Sequence, residues 1–413
     1  MLDIKDINWM LSGKTILLGV SGSIAAYKIA NLASMLVKAH ADVHVIMTRN
    51  ACQFITPVTF ETLTGNKCIV DTFDRNFEFN VGHVSLAAKA DVFMVAPATA
   101  NVIGKMAAGI ADDMLTTTIL ACKAPKVIAP AMNTNMWENQ IVQDNISKLK
   151  AYGYDIMMPA EGRLACGDTG RGKLPSEELL MQRILFHTAC PHDMAGLRVL
   201  VTAGPTREHI DPVRFITNRS TGKMGYAIAK MACLRGANVV LVSGPVGLRP
   251  FDGVTVVDVV SADDMHRETV ARSADADIIV MCSAVADYTP ACYSEQKIKK
   301  NDGDMNIPLT RTTDILAELG QNKKPGQTLV GFSMETANLI ANSTAKLEKK
   351  HADMICANSI SEEGTGFAAD TNRVSIITRD GVEQLPLCSK DQTAALILDK
   401  IMRNRPSSID LRP

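Results

Sequence analysis

The chain is expected to fold as α/β, in two doubly wound, Rossmann-like domains, and three features of its 413 residues point there. Short continuous apolar runs alternate with longer helical patterns, as parallel strands buried on both faces do. Two segments, one in each half, open in the same way, with an apolar strand, a small-residue turn and then a helix. The length itself asks for two domains or three, at about 100 to 200 residues each.

In the first half the strand Thr15–Val20 enters the turn Ser21-Gly-Ser-Ile, a helix is expected to about Lys38, and a second strand over Asp42–Met47. Strands over Val92–Ala96 and Lys126–Ala129 end in PATAN and PAMN, loops at carboxyl ends, where open α/β sheets place ligands. A helix over Glu177–His187 is followed by Pro191 and Gly196, which interrupt it and divide the chain into domains 1–190 and 191–413. The second half offers strands at Leu197–Val201, Asn238–Val242, Ile278–Cys282, Thr328–Phe332, Asp353–Ala357 and Arg373–Thr378. The last belongs to a terminal hairpin around Asp380 and Gly381, and a helix is expected over Met224–Arg235.

Composition narrows the function. Forty-three basic and 44 acidic side chains give a net charge of −1, with no basic excess to neutralise a polynucleotide backbone, so nucleic acid is not an expected partner. No apolar run approaches the roughly 18 residues of a membrane span, and Asp3, Lys5 and Asp6 stand where a signal peptide would be apolar, so a cytoplasmic protein without membrane contact is expected. The ten cysteines form no CxxC pair and the eight histidines no cluster, which predicts reduced thiols and no structural metal.

The turn Gly19-Val-Ser-Gly-Ser lacks the GxGxxG order that brings backbone against a dinucleotide pyrophosphate, and the next strand ends in Met47-Thr48-Arg49 without a ribose-binding acid. Gly22 and Ser23 at a helix amino terminus still suit a single phosphate, such as that of FMN; a tight turn with no ligand is the other reading. Gly13-Lys14-Thr15 precedes a strand where a P-loop would follow one, and Gly222-Lys223 is followed by Met224, so neither is a P-loop. In PAMNTNMW, Asn133 can donate to a carboxylate or flavin edge or can cap a helix. His83, read as lying in a polar connection, is either an acid or base near neutral pH or a solvated loop residue. Cys166 lies in Gly162–Gly172, whose four glycines describe a flap able to close over a site and bring a proton.

In the second half, Asp211–Gly225 is rich in hydrogen-bonding groups just before a helix and could hold an anion. Lys297, Lys299 and Lys300, with Lys346, Lys349 and Lys350, form two cationic groups that a polyphosphate could bring together, or two solvated faces. Asp287 could hold the divalent metal of that polyphosphate.

With these motifs on the page, the chain from about Gly13 to Arg403 resembles the bifunctional bacterial proteins of coenzyme A biosynthesis, which join phosphopantothenoylcysteine decarboxylase to phosphopantothenate cysteine ligase. PATAN with PAMNTNMW carries the likeness to flavin-containing cysteine decarboxylases, and so to their flavodoxin-like fold. Asp211–Gly225, SAVADY and EQKIKK carry the likeness to the ligase.

The resemblance implies FMN held by Gly22, Ser23, Ile24, Thr48 and Met132, which oxidises the substrate's cysteinyl thiol to a thioaldehyde so that carbon dioxide leaves, and then reduces the enethiol. His83 corresponds to the active-site histidine, Asn133 to the amide on the substrate carboxylate and Cys166 to the proton donor. For the ligase it implies activation of 4′-phosphopantothenate by CTP as an acyl cytidylate, then attack by cysteine. Lys297 matches the catalytic lysine and Asn218 the asparagine beside the acyl cytidylate. Ser283, Asp287, Lys297, Phe332, Lys346 and Lys350 match CTP-binding positions, with magnesium expected near Asp287. Family members form trimers through the first domain and dimers through the second, so a homo-dodecamer is implied. A redox or prenyltransferase-like flavoprotein would leave the lysine-rich half idle, and a regulatory subunit could dispense with Cys166 and Lys297.

Overall fold

The computed structural model describes residues 4–72, 82–163, 167, 169–299, 305–335, 338–359 and 369–405. It divides into two compact units, Met1–Pro191 and His192–Pro413.

The first unit is built on five parallel strands, β1 (Thr15–Val20), β2 (Asp42–Met47), β3 (Val92–Ala98), β4 (Lys126–Pro130) and β5 (Asp155–Ile156), in the order β2-β1-β3-β4-β5. Every residue of β3 is buried, and so is every residue of β1 after Thr15, because helices cover both faces. Leu17, Ile46, Phe93, Val95, Leu115 and Ile128 form the centre of one core cluster. Gly19 is tightly enclosed: a Cβ there would come within 3.1 Å of both Leu115 and Phe93, whose side chains would have to give way. The order 2-1-3-4-5 is that of a flavodoxin-like sheet, whose strand order reverses between β1 and β3. Beyond the sheet, β6 (Ala160–Arg163) and β7 (Thr169–Lys173) pair as an antiparallel hairpin.

In the second unit the chain runs through β8 (Arg198–Ala203), β9 (Arg207–His209), β10 (Phe215–Thr217), β11 (Asn238–Ser243), β12 (Thr255–Asp258), β13 (Ile278–Met281) and β14 (Tyr288–Pro290). It continues through β15 (Leu309–Arg311), β16 (Thr328–Glu335), β17 (Met354–Ser359), β18 (Thr371–Asn372), β19 (Val374–Thr378) and β20 (Gly381–Gln384). Eight of these form one sheet in the order β12-β11-β8-β13-β16-β17-β19-β20, the first six parallel and the last two antiparallel. Counted within the unit, the parallel strands follow the Rossmann order 3-2-1-4-5-6, which reverses between β8 and β13. Both domains are thus doubly wound α/β units, as the alternating pattern predicts.

Strand ends depart from the expected ones by up to three residues. β16 runs past Phe332 to Glu335 because β17 pairs with it as far as Ser359, a partner that apolar periodicity does not show. Arg235, which ends the helix Lys223–Leu234, is 6% exposed and donates to Asp193 at the start of the unit and, at 2.8 Å, to Asp399, which ties the first residues to the last described helix (Lys390–Asn404).

Candidate functional sites

At the carboxyl end of the first sheet, four loops far apart in sequence are joined edge to edge. The backbone N–H of Thr48 donates to Val20 (3.0 Å), that of Ser21 to Pro97 (3.3 Å), that of Ala131 to Ala98 (3.0 Å) and that of Met132 to Gly172 (2.9 Å). Ser21 reinforces the reversal point, since its hydroxyl donates to the Pro97 carbonyl at 2.7 Å and accepts from the Thr99 N–H at 2.9 Å. Gly22 is required there: a Cβ would stand 2.6 Å from the Cβ of Asn50. Gly22, Ser23, Ile24, Thr48, Met132 and Asn133 therefore share one rim.

That rim suits a flavin mononucleotide. It lies at the β1/β3 reversal, the place where flavodoxin-like sheets take FMN. Ser23 offers a hydroxyl just ahead of the helix Ala26–Lys38, and Ile24, 56% exposed, offers apolar surface beside it. Asn133 does cap a helix, Thr134–Glu138: its Oδ1 accepts the Asn135 N–H at 2.8 Å, which fixes where the rest of the amide stands. The hairpin β6–β7 docks on this loop through β7. The α-carbon of Gly172 lies so close to Met132 that a Cβ would fall 2.1 Å from the Met132 carbonyl oxygen, and a Cβ on Gly170 would fall 2.7 Å from the Thr134 hydroxyl. Cys166, at the turn of this hairpin, lies outside the described residues. His83 corrects the expectation of a loop: it is the second residue of the helix Gly82–Lys89, and its side chain is not among those described.

In the second unit a cavity of about 1010 Å³ opens at the carboxyl ends of β13, β16 and β17. Asn218, Ser283, Asp287, Phe332, Lys346 and Lys350, six positions named from the sequence, all line it. Asn218 Nδ2 donates to the Ala284 carbonyl (2.9 Å) and Ser283 Oγ to the Thr202 hydroxyl (2.8 Å), so both are held at the β8/β13 reversal. Lys346 donates to the Phe332 carbonyl at 2.8 Å. Lys350 pairs with Asp314, whose carboxyl is held below its usual range against the opposing effect of burial by Lys350, the Ala317 N–H and the charge of Lys346.

Lys297 is not among the lining residues; it is exposed, on the segment ahead of Lys299. Of the two expected lysine groups, Lys346, Lys349 and Lys350 line the cavity, and Lys300 lies outside the described residues. The base of that segment is nevertheless fixed. Asp211, with no exposed surface, accepts from Arg214 Nε (3.0 Å) and the Ile298 N–H (3.2 Å), while Arg214 donates to the Ile298 carbonyl (2.8 Å). Arg214 above all, with the N–H groups of Val213 and Ile298, holds the Asp211 carboxyl far below the usual carboxylate range.

Sequence reasoning marked Asp211–Gly225 as a segment able to hold an anion without singling out Lys223 within it, and missed Arg311, Asn358, Asn372 and Lys390, all of which, with Lys223, line the cavity. Among the described residues no group of three His, Cys, Asp or Glu converges as a metal site, and no helix is long and apolar enough to cross a membrane. A magnesium ion at Asp287 would take most of its ligands from phosphate oxygens and water.

Comparison with known proteins adds to this geometry. Residues 5–187 match the family model described as Flavoprotein, and residues 194–404 the one described as DNA/pantothenate metabolism flavoprotein C-terminal domain. The chain is 49% identical over 399 residues to the coenzyme A biosynthesis bifunctional protein CoaBC of Bacillus subtilis, covering 95% of this chain and 97% of that one. It is 44% identical over 395 residues to the protein of the same name from Vibrio vulnificus, covering 95% and 98%. A solved C-terminal domain of a CoaBC protein is 44% identical and covers 51% of this chain and 96% of its own, with a TM-score of 0.44. Matched along almost its whole length, in both units, the chain belongs to the family of bifunctional coenzyme A biosynthesis proteins.

Proposed function

We propose that residues 191–413 ligate cysteine to 4′-phosphopantothenate with CTP, through an acyl cytidylate, and that residues 1–190 decarboxylate the resulting 4′-phosphopantothenoylcysteine to 4′-phosphopantetheine. The observation that carries this reading is the presence, on one chain, of two ligand crevices at the reversal points of two different sheets, one with a flavin-compatible rim and one with a lysine-lined cavity.

In the first unit Gly22, Ser23, Ile24, Thr48 and Met132 would hold FMN, which when bound supplies the electron sink for decarboxylation. Asn133, fixed by its capping bond, orients the substrate carboxylate. His83 and Cys166 move protons, with Cys166 as donor in the reductive half. In the second unit Ser283, Asp287, Phe332, Lys346 and Lys350 would hold CTP, and Asp287 would hold the magnesium that neutralises charge on the phosphates. Asn218 and Lys297 stabilise charge as the acyl cytidylate forms and breaks. The enzyme works in the cytoplasm as a homo-dodecamer.

The deciding experiment joins a visible spectrum of the purified protein to an assay with 4′-phosphopantothenate, cysteine and CTP that scores pyrophosphate and carbon dioxide together. Yellow protein releasing both is expected. Pyrophosphate without carbon dioxide would remove the first half of the proposal, and folded protein releasing neither would remove both.

A further inference from the structure

Two lysines in the second unit break local rules together. Lys223 is the first residue of the helix Lys223–Leu234, and Lys390 is the first residue of the helix Lys390–Asn404. A cation at a helix amino terminus faces the positive end of the dipole. Lys390 is moreover only 8% exposed. The two side chains meet around one short segment, Ala369–Asp370: Lys223 Nζ contacts Asp370 Oδ1 at 2.6 Å, and Lys390 Nζ donates to the Ala369 carbonyl. Burial, and next the charge of Lys223, push the Lys390 ammonium below its usual range. Both line the cavity, as does Asn358, 7% exposed, whose buried side-chain oxygen has no hydrogen-bond partner among the described residues. An amide there can turn either its oxygen or its NH2 group to a ligand.

Two helix amino termini with their two ammonium groups, one of them paired with the Asp370 carboxylate, and an amide oxygen lining the same cavity make an environment that a multiply charged oxyanion stabilises. We propose that Lys223, Lys390 and Asn358 form a phosphate subsite, distinct from the Lys346 and Lys350 wall. This rests on the ligase reading given above. Its ligand is a phosphate group supplied either by the outer phosphates of the nucleotide, which leave as pyrophosphate, or by the phosphomonoester of the acyl substrate.

The test is calorimetric titration of the full-length protein, with magnesium, using inorganic pyrophosphate, CTP and 4′-phosphopantothenate in turn. Lys390→Met is expected to weaken at least one of these at least tenfold while its melting temperature is unchanged or higher, because a buried, wrongly placed cation has been removed. Loss for pyrophosphate and CTP alone assigns the subsite to the nucleotide; loss for 4′-phosphopantothenate alone assigns it to the acyl substrate. Lys223→Met, at a more exposed position, should weaken the same ligand and serves if the first variant does not fold. Binding of all three within twofold of wild type in the folded variants overturns the subsite, as does a lowered melting temperature with intact binding. Wild-type protein that bound neither CTP nor 4′-phosphopantothenate would instead overturn the functional reading. The subsite would then be judged on pyrophosphate alone, and no binding by wild type would end it.

Discussion

Asp211 shows how a buried charge can anchor a neighbouring segment. It touches no lining residue of the cavity in the hydrogen bonds described, yet through Arg214 and Ile298 it fixes the segment that carries Lys297. Asp211→Asn is therefore expected to lower pyrophosphate release at least tenfold while leaving decarboxylation of supplied 4′-phosphopantothenoylcysteine unchanged; equal effects on both would show a general loss of folding. Lys297→Ala should abolish ligation and spare flavin chemistry, and Cys166→Ser should release carbon dioxide but accumulate unreduced product. Normal phosphopantetheine output from the latter would remove Cys166 as donor. At this scale the sequence is readable where a residue type has few uses. Asn133 carried two readings, and the structure shows the capping bond without displacing the other. His83 was misread as a loop residue because Gly82-His-Val-Ser has neither a capping side chain nor an acidic first turn.

The hairpin β6–β7 is held by glycine at the level of elements. Gly172 has φ +146°, a region that favours glycine, and its α-carbon sits against the Met132 carbonyl. Gly172→Ala should cost roughly 1–3 kcal/mol through strain and undocking, read as a lower melting temperature together with a reduced decarboxylation rate; intact rate and stability would show that β7 does not rest on this loop. A second element-level effect concerns the helix Ala262–Ser273, where Ser261 and Asp264 cap each other. The Ser261 N–H is foremost in holding the Asp264 carboxyl down to about 2, below its usual 3.8. A carboxyl lowered on folding stabilises in full above its unfolded value and loses that contribution as pH falls through its folded one. The stability gap between wild type and Asp264→Asn should therefore be constant above pH about 4 and close toward pH about 2, as thermal melts at stepped pH will show. Helices were legible in part: those over Glu177–Thr188 and Lys223–Leu234 show in the apolar pattern, whereas Gly82–Lys89 and Ala262–Ser273 do not. The meeting of two helix starts at Lys223 and Lys390 was not legible, because only the packing of one helix on the other brings them together.

For the whole molecule, the alternation of apolar strands and helices announced both sheets. The central strands were located to within a few residues, because a strand buried on both faces must be apolar throughout. What periodicity could not carry was the order of strands, and with it the reversal points that bring Asn218 beside Ala284 or Ser21 beside Pro97. Two compact units with separate ligands should give two calorimetric transitions, FMN raising one and CTP with magnesium the other, since a ligand stabilises only the unit it binds. A single transition raised by both would show one cooperative unit. The stitched rim of the first unit has a last consequence. Because Gly170 and Gly172 leave no room for a methyl group between β7 and the Met132–Thr134 segment, the hairpin strand and the rim can shift only as one piece, so a displacement of either is carried to the other undamped.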